Sequence, residues 1–503
     1  MCLLDLPPEL LSGIIDLTFS YDLESFALTC RTVYRCAKSQ IARHNSLKRQ
    51  WKHTSNAYTG RRNSTLSILY AISQEPIVAE YIESLSLWDR RSAQEISSDT
   101  NSPYNFHEGE ALQKIRDMLL HTEYFADSAG PRVAGWWEEI LEEPASDTHE
   151  YPEEPAVTVA LLTLLPRLKT LQLPERWDLV RVGEGLELWI HLIEALVSQP
   201  NGNESSSRPL QLLQTLLPFA EVGFYTRVNL QSIHPFMALK SLQNLYAVSC
   251  VAVEDEWDDS PPLAGPYPTL RSFLTRVEFA SGCIDTYGLE AFLQMTPALT
   301  VFKYSHQSKQ GGLQHDWNPG GFAQVLSRYC GTRLIELALT VDEIDGDIVN
   351  GLSSFHGFPA LKELEVDLGV FFGPPLESGQ SLGLNAKIPT DDKPWTHKDI
   401  PCLGDMLAPN IEKVQLNTDY LEHSKRGLKA LVKNIKDKRR DKLTKLKSVI
   451  IRQYTTGTAK AIAQAHDCTL EVFDDPRPKN MMPSWKRQFD YVVGGVEVEG
   501  HQD

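Results

Sequence analysis

Residues that could do covalent chemistry are few in this chain. Gly379-Gln-Ser-Leu-Gly383 matches GxSxG, the pattern in which a serine on a sharp turn becomes an acyl-transfer nucleophile. That chemistry needs a strand immediately before the serine and a helix immediately after it. Here Phe372-Gly-Pro-Pro precedes the motif and Leu384-Asn-Ala-Lys-Ile-Pro follows, which supplies neither element. His397 and His423 lie downstream as candidate bases, but no acidic partner stands out among many. A hydrolase built on Ser381 would lose its activity on Ser381→Ala, and the flanking sequence predicts no activity to lose. There is no GxxxxGK[ST], HExxH or GxGxxG segment, and the cysteines at 2, 30, 36, 250, 283, 330, 402 and 468 contain no CxxC pair. The expectation is a chain with no catalytic residue, no metal and no cofactor.

The elements that would position any such residues come next. The chain has 503 residues, 42% hydrophobic and 23% charged, which is ordinary globular usage. Its net charge of −17 speaks against a general nucleic-acid binder. No apolar run approaches the length that spans a bilayer. Met1-Cys-Leu-Leu runs at once into Asp5 and two prolines, unlike a secretory leader. Scattered cysteines then read as reduced, mostly buried thiols, which predicts a cytoplasmic or nuclear protein. The sequons at Asn63 and Asn203 read as chance matches.

The first fifty residues predict three short amphipathic helices. Pro7 and Pro8 suit a helix opening, and Glu9 suits the positive end of its dipole. Leu10, Leu11, Ile14, Ile15 and Leu17 recur at helical spacing as one apolar stripe. Asp22 is placed as the N-cap of a second helix bearing Leu23, Phe26, Ala27 and Cys30. A third runs from Thr32 to about His44, with Val33, Ala37 and Ile41 inward. Helices this short bury little surface and are marginal alone.

This stretch resembles an F-box. Leu6, Pro7, Glu9, Leu10, Leu11, Ile14, Ile15, Asp22, Leu23, Leu28, Cys30, Arg31 and Val33 match the family pattern in order. Thr29 stands where the family usually has Val, and Val33 where it often has Trp. The resemblance implies docking on a Skp-family adaptor and, through it, a cullin–RING ubiquitin ligase. It makes Leu6, Pro7, Pro8, Leu10, Leu11, Ile14, Leu23 and Leu28 the expected adaptor contacts, several of which must also hold the helices together.

A six-residue unit, apolar at its first, fourth and sixth positions, then recurs. It begins at Ile82, Leu168, Leu242, Leu274, Leu299, Leu334, Leu361, Ile411 and Leu446, and Leu470-x-x-Phe473 closes the series. From Leu242 the starts are 32, 25, 35, 27, 50, 35 and 24 residues apart, near or above the spacing of leucine-rich repeats. Helical patterns lie between, at Leu289–Met295 and Phe322–Tyr329. A proline two residues before the unit recurs at Pro166, Pro297, Pro359 and Pro409, and is expected to end the preceding element and extend the chain. The array resembles degenerate leucine-rich repeats, although only Leu242, Leu245, Ala247 and Cys250 complete the full pattern. The competing reading is a non-repetitive α/β domain whose strands share an apolar alternation.

Between these signals lie segments of biased charge. His44 to Arg62 reads as a basic, solvated connector. The stretch 89–156 holds Trp136 and Trp137 beside an acidic run from Glu138 to Glu154, and 201–209 and 254–259 are further polar loops. Gly373 to Trp395 is rich in Pro and Gly. From Lys425 to Lys447 eleven lysines and arginines surround Leu428, Leu431, Val432 and Ile435, which predicts an amphipathic basic helix. Read as a whole, the sequence predicts an α/β protein: an N-terminal three-helix F-box (1–45), a helical linker (46–75), a leucine-rich-repeat-like solenoid of parallel strands (76–475, with insertions 89–156 and 373–398) and a capping tail (476–503). The expected function is substrate recognition in an SCF-type ubiquitin ligase, with an unknown protein substrate and no nucleic-acid or membrane partner. A scaffold outside any ligase is the alternative.

Overall fold

Among the described residues every ladder between strands is parallel. A computed structural model describes residues 6–18, 22–56, 65–87, 109–125, 136–137, 140, 155–174, 177, 187–198, 208–218, 222–254, 271–310, 316–390, 393–396, 398–418, 424–453 and 459–472. The protein is an α/β protein with fourteen strands among the described residues. It divides into two compact units, Met1–Phe219 and Ala220–Asp503.

The first unit opens with four helices, α1 (Pro8–Asp16), α2 (Leu23–Ala27), α3 (Arg31–Cys36) and α4 (Lys38–Trp51). The third helix expected from the sequence thus breaks at Ala37, and its second half continues to Trp51. Within the described part of the supposed solvated connector, 44–56, His44, Leu47 and Trp51 are buried, and 57–62 lie outside the described residues. Strand β1 (His53–Ser55) follows and pairs with β2 (Ser84–Ser86), then β3 (Thr170–Gln172) and β4 (Thr215–Leu217), with Thr54, Leu85, Leu171 and Leu216 in one row. Helix α5 (Thr65–Gln74) and a 3-10 helix (Pro76–Tyr81) link β1 to β2. The next two crossovers carry the helices Gly109–Leu120, Pro155–Leu162 and Glu187–Ser198. Trp136 and Trp137 belong to this core: Phe125 and Trp136 rings lie 4.6 Å apart. The acidic run from Glu138 to Glu154 lies outside the described residues, apart from Ile140 within it.

In the second unit β6 (Asn244–Val248), β8 (Arg276–Ile284), β9 (Val301–Gln307), β10 (Glu336–Glu343), β11 (Glu363–Asp367), β12 (Lys413–Thr418), β13 (Ser448–Gln453) and β14 (Thr469–Val472) pair in chain order. Strands β5 (Val228–Asn229) and β7 (Cys250–Ala252) form a short second row against β8. The six-residue unit maps onto these strands in register: Leu245, Val277, Phe302, Leu337, Leu364, Val414 and Val449 form one buried row. Ala247, Phe279, Tyr304, Leu339, Val366, Leu416 and Ile451 form the next. Leu470 departs from expectation. It stands opposite Ile451, so it fills the sixth position of its unit rather than the first.

Three of the four recurring prolines, besides following the preceding element as expected, sit in turns. In Thr296–Leu299, Phe358–Leu361 and Ala408–Ile411 the last N–H bonds the first carbonyl at 3.4, 3.0 and 3.3 Å. Pro297, Pro359 and Pro409 are the second residues of these turns, where a fixed φ is an advantage and no donor is needed. Each turn delivers the first apolar residue of the unit into the core. One further stitch repeats before nine of the strands: a single carbonyl accepts two successive N–H groups leading into a following strand, from Lys52, Glu83 and Lys169 in the first unit and from Gln243, Thr275, Thr300, Ile335, Lys362 and Glu412 in the second.

Two of the α-helices between the strands are started by capping side chains. Asp285 caps Thr286–Met295 by accepting the Gly288 N–H at 2.6 Å, and it accepts the Glu254 N–H at 2.9 Å as well. Gly288 is required there, since a Cβ would stand 2.2 Å from the Ala252 carbonyl oxygen. Asn318 caps Pro319–Cys330 through the Gly321 N–H, with Pro319 in the first turn. Asp22, by contrast, makes no capping bond to α2.

Candidate functional site

Helix α1 has two apolar faces, and the single stripe read from sequence divides between them. Leu11 and Ile15, one turn apart, point inward with Leu23, Ala27, Val33 and Ala37, and Phe26, Cys30, Cys36 and Ile41 pack round them. Leu10, Ile14 and Leu17, spaced by four and three residues, share the other face and are 57%, 37% and 83% exposed. Leu28 beyond α2 and Tyr34 on α3 add 78% and 48%. Of the eight expected contacts, Leu11 and Leu23 are therefore core residues. Leu10, Ile14, Leu28, Pro7 and Pro8 are exposed, and Leu6 is half-buried. Leu17 belongs with the exposed set. Its spacing from Leu10 and Ile14 was the signal for that. Pro7 starts the helix by offering its carbonyl to the N–H groups of Leu10 and Leu11, both at 3.1 Å.

These helices are fastened to the strands behind them through α4. The imidazole of His44 is buried, with Nδ1 2.9 Å from the Tyr81 hydroxyl and Nε2 2.9 Å from Glu24 Oε1. Lys48 donates to the same Glu24 oxygen at 2.6 Å, and Arg43 pairs with Glu75. The Lys48 ammonium, and after it His44, hold the Glu24 carboxyl down at about 2. A carboxylate held below its unfolded value stabilises the fold above that value and ceases to do so as it protonates. Comparison of Glu24→Gln with the parent by urea midpoint against pH should therefore show a difference that is constant above pH about 5. It should shrink between about 4.5 and about 2, since the folded value is about 2 against an ordinary 4.5. A difference independent of pH would break this assignment.

The second unit carries a polar row on the face of its sheet opposite the apolar rows. Arg276 and Lys303 interleave with Glu278 and Glu336: Arg276 reaches Glu278 at 2.6 Å and Glu336 at 3.5 Å, and Lys303 reaches Glu336 at 3.3 Å. Further along, Arg452 lies 3.0 Å from Glu471 and 3.8 Å from Glu365, which also accepts from Asn417 at 3.2 Å. Between and beside them Tyr246, Val248, Ala280 and Ala338 make a small apolar cluster. Each of these charges faces one of opposite sign within the sheet.

Ser381 sits in a small hairpin. Its N–H and carbonyl pair with Lys387 at 2.9 and 3.0 Å, and its hydroxyl donates to the Asn385 carbonyl at 3.2 Å. The hairpin is held by Asp316, which accepts the Leu384 N–H at 2.6 Å, while Gly383 adopts the left-handed φ of +85° that a side chain would strain against Asp316. His397 and His423 lie outside the described residues. Burial pushes the thiols of Cys250 and Cys330 up to about 12 and that of Cys468 to about 11, far from the range of a reactive thiolate. Among the described residues no group of His, Cys, Asp and Glu is arranged to hold a metal ion, and no helix is long and apolar enough to cross a membrane.

No protein-family model matches this chain, and no curated protein matches it.

Proposed function

We propose that this chain is the substrate-recognition subunit of an SCF-type ubiquitin ligase. The exposed row Leu10, Ile14 and Leu17, with Leu28, is the observation that carries the reading: it stays outside a helical core that is already closed by Leu11, Ile15 and Leu23. Apolar residues left out of a closed core, on helices fixed to a larger body, are what docking on a Skp-family adaptor requires. The resemblance of the same residues to an F-box names that adaptor class. The parallel strands with helical crossovers and recurring turns serve as a leucine-rich-repeat-like solenoid whose surface holds a protein substrate. The chain then works by positioning: it raises the effective concentration of a substrate beside a charged ubiquitin-conjugating enzyme, and the other subunits do the bond chemistry.

The test is co-purification of the full chain with a Skp-family adaptor and cullin. Leu6→Ala with Pro7→Ala is expected to abolish adaptor recovery while the far-UV circular dichroism and urea midpoint stay near those of the parent. Full adaptor recovery by a folded double variant overturns the reading and leaves a scaffold outside any ligase.

A further inference from the structure

The basic stretch expected to form one amphipathic helix forms two, Ser424–Val432 and Ile435–Asp441. Leu428, Leu431, Val432 and Ile435 are buried beneath them, and Gly427 sits close enough to the Phe372 ring that a Cβ there would meet it at 2.6 Å. The pair is thus seated firmly on the second unit. Lys438 is engaged by Asp405, Arg439 donates to the carbonyls of Leu446 and Lys447, Lys445 reaches Asn410 and Lys447 pairs with Glu412. The rest are different. Lys425, Lys429, Lys433, Lys436 and Arg440 recur at intervals of four, four, three and four residues, mostly exposed, and Arg426 and Lys442 flank them. Among the described residues none of these seven side chains makes a hydrogen bond or a close ion pair, although Lys442 lies in the field of the Asp405 carboxylate, in a chain whose net charge is −17. The only carboxylates on the same helices are Asp437 and Asp441.

A surface on which cations outnumber carboxylates by seven to two, carried on helices packed into the second unit, contrasts with the sheet face, where every charge named above has its counter-charge. We propose that this surface docks a carboxylate-rich, Asp/Glu-containing segment of a partner protein. Three observations select that partner among anions. No Phe, Tyr or Trp occurs between Leu421 and Gln453, so the helices themselves carry no platform on which the bases of a single strand could stack. The strong negative charge of the remaining chain opposes approach to a long polyanion or an anionic bilayer, whereas a short segment meets the local field alone. The span also fits: a nine-residue helix is about 13 Å long, matched by only about four residues of extended peptide. This surface is independent of the adaptor-docking helices, and its failure would leave the ligase reading untouched.

Fluorescence anisotropy of a labelled oligo-glutamate peptide with the full chain tests it. Lys429→Glu with Lys433→Glu is expected to weaken binding at least about tenfold, and Lys429→Arg with Lys433→Arg to retain it. Arg227→Glu with Arg271→Glu makes the same change in net charge on exposed residues elsewhere and is expected to weaken it less than about twofold. All four positions are on the surface, and thermal midpoints check that the variants fold. Equal weakening by both reversal pairs overturns the proposal, because net charge alone then explains the binding. Tighter binding of a single-stranded oligonucleotide or of anionic vesicles than of the peptide overturns it too.

Discussion

Replacing Phe302 by alanine is expected to lower the stability of the second unit by about 3–5 kcal/mol, read as a shift of its urea midpoint. Phe302 is wholly buried at the fourth position of its unit, in the row between Val277 and Leu337. Its ring lies 6.2 Å from those of Phe279 and Phe322, so it joins two strands to the helix Pro319–Cys330 above them. Parallel neighbours fix the position of every side chain in the row, which limits how far the cavity can collapse. A loss below about 1 kcal/mol would mean that the row is not the packed core described here.

Leu10→Asp with Leu28→Asp is the second change of large effect, and it acts on binding rather than on folding. Both side chains are mostly exposed, so placing a carboxylate on each leaves the core of Leu11, Ile15 and Leu23 intact. Two carboxylates set into an apolar contact must be desolvated without a partner, which removes at least about 3 kcal/mol of affinity, a hundredfold or more. Adaptor capture should fall below detection at an unchanged thermal midpoint. Leu11→Ala provides the contrast, because a buried leucine at that position costs about 2–4 kcal/mol of stability whether or not an adaptor is present. Should the exposed double variant capture adaptor as well as the parent, the docking face is elsewhere.

The strands were legible in sequence wherever all three apolar positions were filled. From Leu242 to Ile451 the six-residue unit locates each strand of the main row, because a buried parallel strand needs an apolar residue at each inward position. Strand β1 was not legible, since Trp51-x-x-Thr54-x-Asn56 carries polar residues at the fourth and sixth positions. Thr54 satisfies its hydroxyl on the Trp51 carbonyl at 2.7 Å, a local bond that composition cannot announce. In β4, Leu213 and Leu216 fit, but Pro218 stands at the sixth position and hid the unit. At the N-terminus the helical period found the apolar residues of α1 without saying which side faced the core. Leu10 and Leu11 are neighbours in sequence, and only the packing of α2 and α3 separates an exposed contact from a structural one. The lysines of the second unit were visible as a charge run, but which of them lacked partners depended on Asp405, Glu412 and Asn410, all distant in sequence.

The paired stitch has one further consequence. From β8 to β13 each strand of the main row is led in by two N–H groups on the carbonyl of the residue just before the preceding strand of that row, from Gln243 through Glu412. None of these six strands waits for a distant segment before it can be laid down. The row can therefore be built as the chain emerges, one crossover at a time, with each finished strand serving as the template for the next.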